Sequence, residues 1–272
     1  ARLVPIRSRP FFKRVLVSQR TLPLRVTAFA PPVCGAHAGT DWPDYRGPSC
    51  DGHVIAKDLP LTWGEQDNVT WKTAIHGRGW STPVIADGRL WLTTATNDGR
   101  QLFAICVDQA SGDLVHDQLL FSVDKPEPRH ELNSYASPSP VLGDGRVFVH
   151  FGTYGTACLD AASGEVLWQR RDLTVDHIVG QGSSPLLHDD LLIFHQDGGD
   201  LQYVIALAAG TGETRWRTDR SVDFGTLEPD YRKAYDTPIA IDQDGRALLI
   251  CVGAEATTAL DARTGDEVWQ AR

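Results

Sequence analysis

Nine side chains in four short stretches have the types that bind or transform a polar ligand: Arg78, Trp80, His130, Glu131, Asn133, Tyr135, Gln181, Lys233 and Asp236. They bring both charges, amides and aromatic faces, a mixture suited to a peptide, a glycan or a protein segment. Glu131, Asn133 and Asp236 carry oxygens that a hard cation accepts, yet calcium takes six or more and no spacing here gathers them. Asp242-Gln243-Asp244-Gly245 opens like a calcium loop but lacks the distal glutamate, so it reads as a tight turn. There is no Gly-x-Ser-x-Gly elbow, no Cys-x-x-Cys and no His-Glu-x-x-His, and Gly180-Gln181-Gly182 lacks the next glycine of a dinucleotide fingerprint. The catalytic and metal sets are therefore expected to be empty.

Each stretch ends at a Ser/Thr-Pro pair, at Thr82-Pro83, Ser139-Pro140, Ser184-Pro185 and Thr237-Pro238. A second landmark follows each pair. Its fullest form is Ala259-Leu260-Asp261-Ala262-Arg263-Thr264-Gly265-Asp266-Glu267-Val268-Trp269. It recurs around Asp160, Gly164 and Trp168, and around Gly212 and Trp216 with Ala208 at the aspartate position. The first copy holds Asp108 and Gly112 but has His116 where the others have tryptophan. The four glycines lie 52, 48 and 53 residues apart, a period that marks a repeat architecture.

Between the landmarks the text reads as short strands. Val84-Ile85-Ala86 leads through Asp87-Gly88 into Arg89-Leu90-Trp91-Leu92, and Val141-Leu142 leads through Asp144-Gly145 into Arg146-Val147-Phe148-Val149. Asp-Gly between β-branched and aromatic residues signals a hairpin, because both turn positions need positive φ. The motif aspartate can accept hydrogen bonds from the following turn, and the tryptophan offers a flat face to the next unit. Four antiparallel strands per repeat predict an all-β fold, a β-propeller of four-stranded blades over about 80–120, 135–171, 182–218 and 235–272.

The repeat resembles that of the pyrroloquinoline-quinone (PQQ) type β-propellers with tryptophan-docking motifs, a superfamily of quinoprotein alcohol dehydrogenases that also includes the non-enzymatic propeller of the outer-membrane β-barrel assembly machinery. The resemblance covers residues 62–272. It implies one of two functions, a binding scaffold or a PQQ- and calcium-dependent dehydrogenase of alcohols or sugars. The quinone enzymes use a pair of adjacent cysteines, and none of Cys34, Cys50, Cys106, Cys158 and Cys251 is adjacent to another. The scaffold reading is therefore preferred, with no cofactor and with the nine residues at the mouth of the propeller channel.

Val69–Ile75, with Trp71 at the docking position, reads as a lone strand that closes the last blade of a ring. Since the fourth repeat has its own tryptophan strand, the chain is expected to be part of a seven- or eight-bladed ring; a closed four-bladed ring is the alternative. Residues 41–68 read as a lead-in segment over the side or base of the propeller.

Composition bounds the rest. The 272 residues are 42% hydrophobic with a net charge of −9 and contain no methionine, so a processed or partial chain is expected. Residues 1–40 hold seven basic and no acidic residues, leaving −16 for the remainder. Basic residues, then Val26–Ala30, then Ala36-His37-Ala38 follow the order of an export signal, with a disordered basic arm as the alternative. Pro31-Pro32-Val33 before Cys34 does not match a lipoprotein box. The expected location is the periplasm or cell surface. No nucleic-acid partner and no transmembrane segment are expected. Cys106 and Cys158 share a repeat position with Ala206 and Ala259 and read as packed thiols, whereas Cys34 and Cys50 could bridge after export. His150 and His195 also share a position and read as strand residues among core neighbours.

Overall fold

The computed structural model describes residues 41–54 and 59–272. The basic segment 1–40, with Cys34 and the expected export signal, lies outside the described residues. Asp87, Asp144 and Asp244 have φ of 51°, 51° and 56°, and the glycines after them are also positive. Those Asp-Gly pairs make the primed turns that match strand twist.

Each repeat forms one antiparallel sheet of four strands in chain order. Blade 1 holds β1 (Val84–Ala86), β2 (Arg89–Ala95), β3 (Gln101–Asp108) and β4 (Leu114–Ser122). Blade 2 holds β5 (Val141–Gly143), β6 (Arg146–His150), β7 (Thr156–Asp160) and β8 (Val166–Arg170). Blade 3 holds β9 (Leu186–His188), β10 (Leu191–Asp197), β11 (Gln202–Ala208) and β12 (Thr214–Asp219). Blade 4 holds β13 (Ile239–Gln243), β14 (Arg246–Val252), β15 (Thr257–Asp261) and β16 (Glu267–Ala271). The ladder between third and fourth strands slips at the same repeat position in every blade, at Cys106/Val107, Cys158/Leu159, Ala206/Leu207 and Ala259/Leu260. A bulge there bends the outer strand just before the motif turn.

The core lies between blades. Trp91, Leu102 and Phe121 meet Val147, Val149 and Phe151; Phe148 and Cys158 meet Leu192, Phe194 and Tyr203; Ile193, Val204 and Trp216 meet Leu249, Cys251 and Leu260. Both faces of β10 are thereby covered, which is why all seven of its residues are buried. Each such apolar side chain contributes about 1.5–3 kcal/mol on burial. Cys106, Cys158 and Cys251 are free, buried thiols, and burial pushes them up to about 11, 12 and 12.

The motif turns join neighbouring blades. Oδ1 of Asp108, Asp160 and Asp261 accepts two backbone amides each at 2.7–3.1 Å. Trp168 Nε1 donates to Ala209 O at 2.9 Å and Trp216 Nε1 to Ala262 O at 3.1 Å, each reaching from one blade to the turn of the next. Their rings press on Gly212 and Gly265, where a methyl group would fall 2.6–2.7 Å from ring carbons. Trp269, on the last strand, is 40% exposed.

Val69–Ile75 pairs with no strand of the described residues. Trp71 nonetheless takes the tryptophan seat on blade 1, donating from Nε1 to Gln109 O at 3.0 Å with its ring against Gly112. Part of the lead-in segment lies on the innermost strands. Trp42 exchanges two backbone hydrogen bonds of 2.8 Å with Ile85, Pro43 O accepts from Leu142 N, and Arg46 Nη2 donates to Thr237 O at 3.0 Å.

Candidate functional site

The Ser/Thr-Pro pairs fix where the four loops converge. Thr82 N donates to Ser139 Oγ at 2.8 Å, Ser139 N to Ser184 Oγ at 2.9 Å, and Ser184 N to Thr237 Oγ1 at 3.1 Å. Blades 2, 3 and 4 thus each supply one hydroxyl to an amide at the entry to the blade before. Proline at the next position has no N–H and leads the chain straight into the innermost strand.

Above this belt the loops enclose an open groove of about 470 Å³. His130, Leu132, Asn133, Val179, Gln181, Gly182, Asp230 and Tyr235 line it. Three of the nine expected residues therefore meet there: His130, Asn133 and Gln181. Leu132 and Tyr235 are 76% and 45% exposed, so the groove presents apolar surface to solvent.

The polar residues are largely committed within the loops. Asn133 Nδ2 donates to Val179 O at 3.0 Å and Gln181 O at 3.1 Å, and its Oδ1 accepts from Ser134 N and Ser137 Oγ. Gln181 Nε2 donates back to Tyr135 O at 2.7 Å. These bonds clamp the loop before β5 to the loop before β9. Tyr135 donates its hydroxyl to Glu127 O at 3.0 Å, and Arg129 stacks on its ring. Lys233 is buried, donating to His177 O at 2.8 Å beside Asp230 Oδ1 at 2.7 Å.

Arg78 and Trp80 flank the groove. The Arg78 guanidinium sits 4.7 Å from the Trp80 ring and donates to Glu131 O, while Trp80 Nε1 donates to Leu132 O at 2.9 Å. Glu131 itself is exposed. Asp236 lies apart, 3.6 Å from Arg46, and burial raises its carboxyl.

Sequence reading passed over Leu132, Val179 and Tyr235 because isolated apolar residues in loops carry no chemical signature. It also passed over a buried ion pair close to these loops. Arg220 pairs with Asp197 at 2.8 Å, with side chains 4% and 1% exposed. Burial raises the Asp197 carboxyl, and Arg220 pulls it back. His150, His177 and His195 lie close by, and burial holds His150 at about 3 and His177 at about 4.

A larger groove, about 1020 Å³, opens at the opposite end among the hairpin turns and the lead-in segment, with Asp87, Asp144 and Asp189 on its wall. None of the nine expected residues lies there. Among the described residues no three His, Cys, Asp or Glu side chains are grouped to hold a metal ion, and no helix is long and apolar enough to cross a membrane.

Comparison with known proteins agrees with this architecture. The fold is similar to that of a quinohemoprotein alcohol dehydrogenase from Comamonas testosteroni, with TM-score 0.50 and 16% identity over 72% of this chain and 35% of that one. The quinohemoprotein alcohol dehydrogenase ADHIIG from Pseudomonas putida HK5 gives TM-score 0.50 and 15% identity over 74% and 35%. BamB from Moraxella catarrhalis gives TM-score 0.46 and 17% identity over 76% and 68%. The chain thus spans about a third of the length of the two dehydrogenases. No curated protein sequence matches it. The family described as outer membrane protein assembly factor BamB matches over residues 61–169 and 105–272. With the repeats, the blades and this match in agreement, the chain belongs to that family of PQQ-like β-propellers.

Proposed function

We propose that the chain is a non-catalytic binding module that takes an extended peptide segment of a protein partner across the mouth groove. One observation carries this reading: the polar residues of the mouth are spent on holding the loops, while apolar and aromatic surface is left open. Asn133, Gln181 and Lys233 use their donors internally, whereas Trp80, Leu132 and Tyr235 stand 52%, 76% and 45% exposed. Rigid aromatic anchors inside a polar rim are the makeup of recognition surfaces. The family's description as an assembly factor for outer membrane proteins supports a protein partner and a place at the cell envelope, periplasmic or on the surface.

The other reading, a PQQ- and calcium-dependent dehydrogenase, does not fit the residues present. No two cysteines are adjacent to cover a quinone. The Asn133 amide oxygen that a calcium ion would use already accepts two hydrogen bonds.

The test is titration calorimetry of the full chain against peptides selected from a displayed library. Tyr235→Ala and Leu132→Ala are expected to weaken the selected peptides tenfold or more, about 1.4 kcal/mol each, with unchanged melting. Binding confined to glycans would replace the peptide by a sugar. Stoichiometric PQQ uptake with calcium, followed by dye reduction on adding an alcohol, would overturn the scaffold reading.

A further inference from the structure

His195 on β10 is 2% exposed, and neither ring nitrogen has a hydrogen-bond partner among the described residues. The equivalent His150 on β6 is differently placed, with its Nδ1 2.9 Å from Thr156 Oγ1. A neutral imidazole has one N–H to give and one lone pair to fill, and leaving either bare in the interior costs about 1–3 kcal/mol. Protonation offers no escape. Burial, then the Arg220 and Arg46 charges, hold His195 well below its ordinary value, so the ring is neutral.

Beside this ring lies a small polar cavity of about 10 Å³, lined also by His177, Gly182, Ser183, Asp197 and Tyr235. Ser183 Oγ donates to Asp236 O at 2.6 Å and keeps lone pairs to accept with. Gly182 and Tyr235 border both this cavity and the mouth groove. A methyl group on Gly182 would fall 3.1 Å from Tyr235 Cδ1, so the tyrosine ring lies directly on the glycine and forms the partition between the two spaces.

We propose that the cavity is a binding site for one ordered water molecule, held by His195 with Ser183 and Asp197 and sealed from the mouth by Tyr235. The volume is that of about one water-sized probe, and a buried water needs two to four polar partners, which these residues supply. Larger ligands are excluded by size.

A crystal structure of the full chain, at a resolution that places waters, is expected to show one peak about 3 Å from a His195 ring nitrogen. Deuteron relaxation dispersion is expected to lose the contribution of one long-lived water in His195→Leu, and to show a shorter residence time in Tyr235→Ala. An empty cavity in the crystal, or a His195 ring bonded directly to protein, overturns the site; so does unchanged relaxation in His195→Leu. An unchanged residence time in Tyr235→Ala overturns the seal. Both measurements use the chain without any mouth ligand, so their failure leaves the peptide-binding reading untouched.

Discussion

The amide of Ser139 donates to the hydroxyl of Ser184 in the next blade at 2.9 Å, with both residues at most 4% exposed. Ser184→Ala leaves that buried amide without an acceptor, a loss expected to cost about 1–3 kcal/mol. Ser184→Thr keeps the oxygen, as Thr237 does in the adjacent blade, and is expected to stay close to the parent. Urea denaturation of the two variants checks this; equal losses would mean that packing, not the hydroxyl, matters at this position.

His116 fills the seat that tryptophan fills on the neighbouring blades, its Nε2 lying 3.0 Å from Ala162 O and its ring against Gly164. The smaller ring is matched by a larger neighbour, since Trp91 stacks on His116 at 5.7 Å where Phe148 meets Trp168 at 6.1 Å. His116→Trp alone is therefore expected to overpack and destabilise by about 1–3 kcal/mol. Trp91→Phe in the same chain is expected to recover much of that loss. A double-mutant cycle showing simple additivity would remove the size exchange as an explanation.

Features fixed by neighbours in the chain are disclosed by the sequence, and those fixed by neighbouring blades are not. The hairpins, the motif aspartates and the repeat were legible because each is fixed by neighbours in the chain: Asp87-Gly88 needs only its own φ values. His116 reads as a missing tryptophan, and its role emerges only once Gly164 is seen beneath it. The Ser/Thr-Pro pairs were legible as landmarks but not as a belt, because each hydroxyl's partner lies 45–57 residues away. Loop position marks the expected mouth residues, yet whether Asn133 or Gln181 faces a ligand depends on which loop lies alongside, a fact set by blade packing.

Gly212 and Gly210 share one turn and should respond oppositely to the same change. Gly212 has φ of +74°, and an added methyl would lie 2.7 Å from Trp168 Cε3. Gly212→Ala is expected to destabilise by about 2 kcal/mol or more through strain and the displaced ring. At Gly210 a methyl meets nothing within 4 Å, so Gly210→Ala is expected to be neutral or stabilising by up to about 1 kcal/mol. Thermal melts of both variants separate the two effects.

The buried histidines should make folding sensitive to mild acid. Desolvation holds His150 at about 3 and His177 at about 4 in the folded chain, against an ordinary value of 6.5. Between those values the unfolded chain binds more protons, so stability is complete above about pH 6.5 and falls as the pH drops toward 4 for His177 and toward 3 for His150. Each group contributes a slope of about 1.4 kcal/mol per pH unit inside its window. Glu127, Asp197 and Asp236, raised by burial, oppose the trend wherever they titrate in the folded state. At pH 5–6 the histidine slope is near its full value, because the imidazoles of the unfolded chain are largely protonated there and those of the folded chain are not. Measured by urea denaturation across pH 4.5–7.5, His150→Leu is expected to flatten the acid limb by close to one proton. An acid limb of unchanged slope in that variant would show that His150 is protonated in the folded chain, against the burial that its place beside Phe194 imposes.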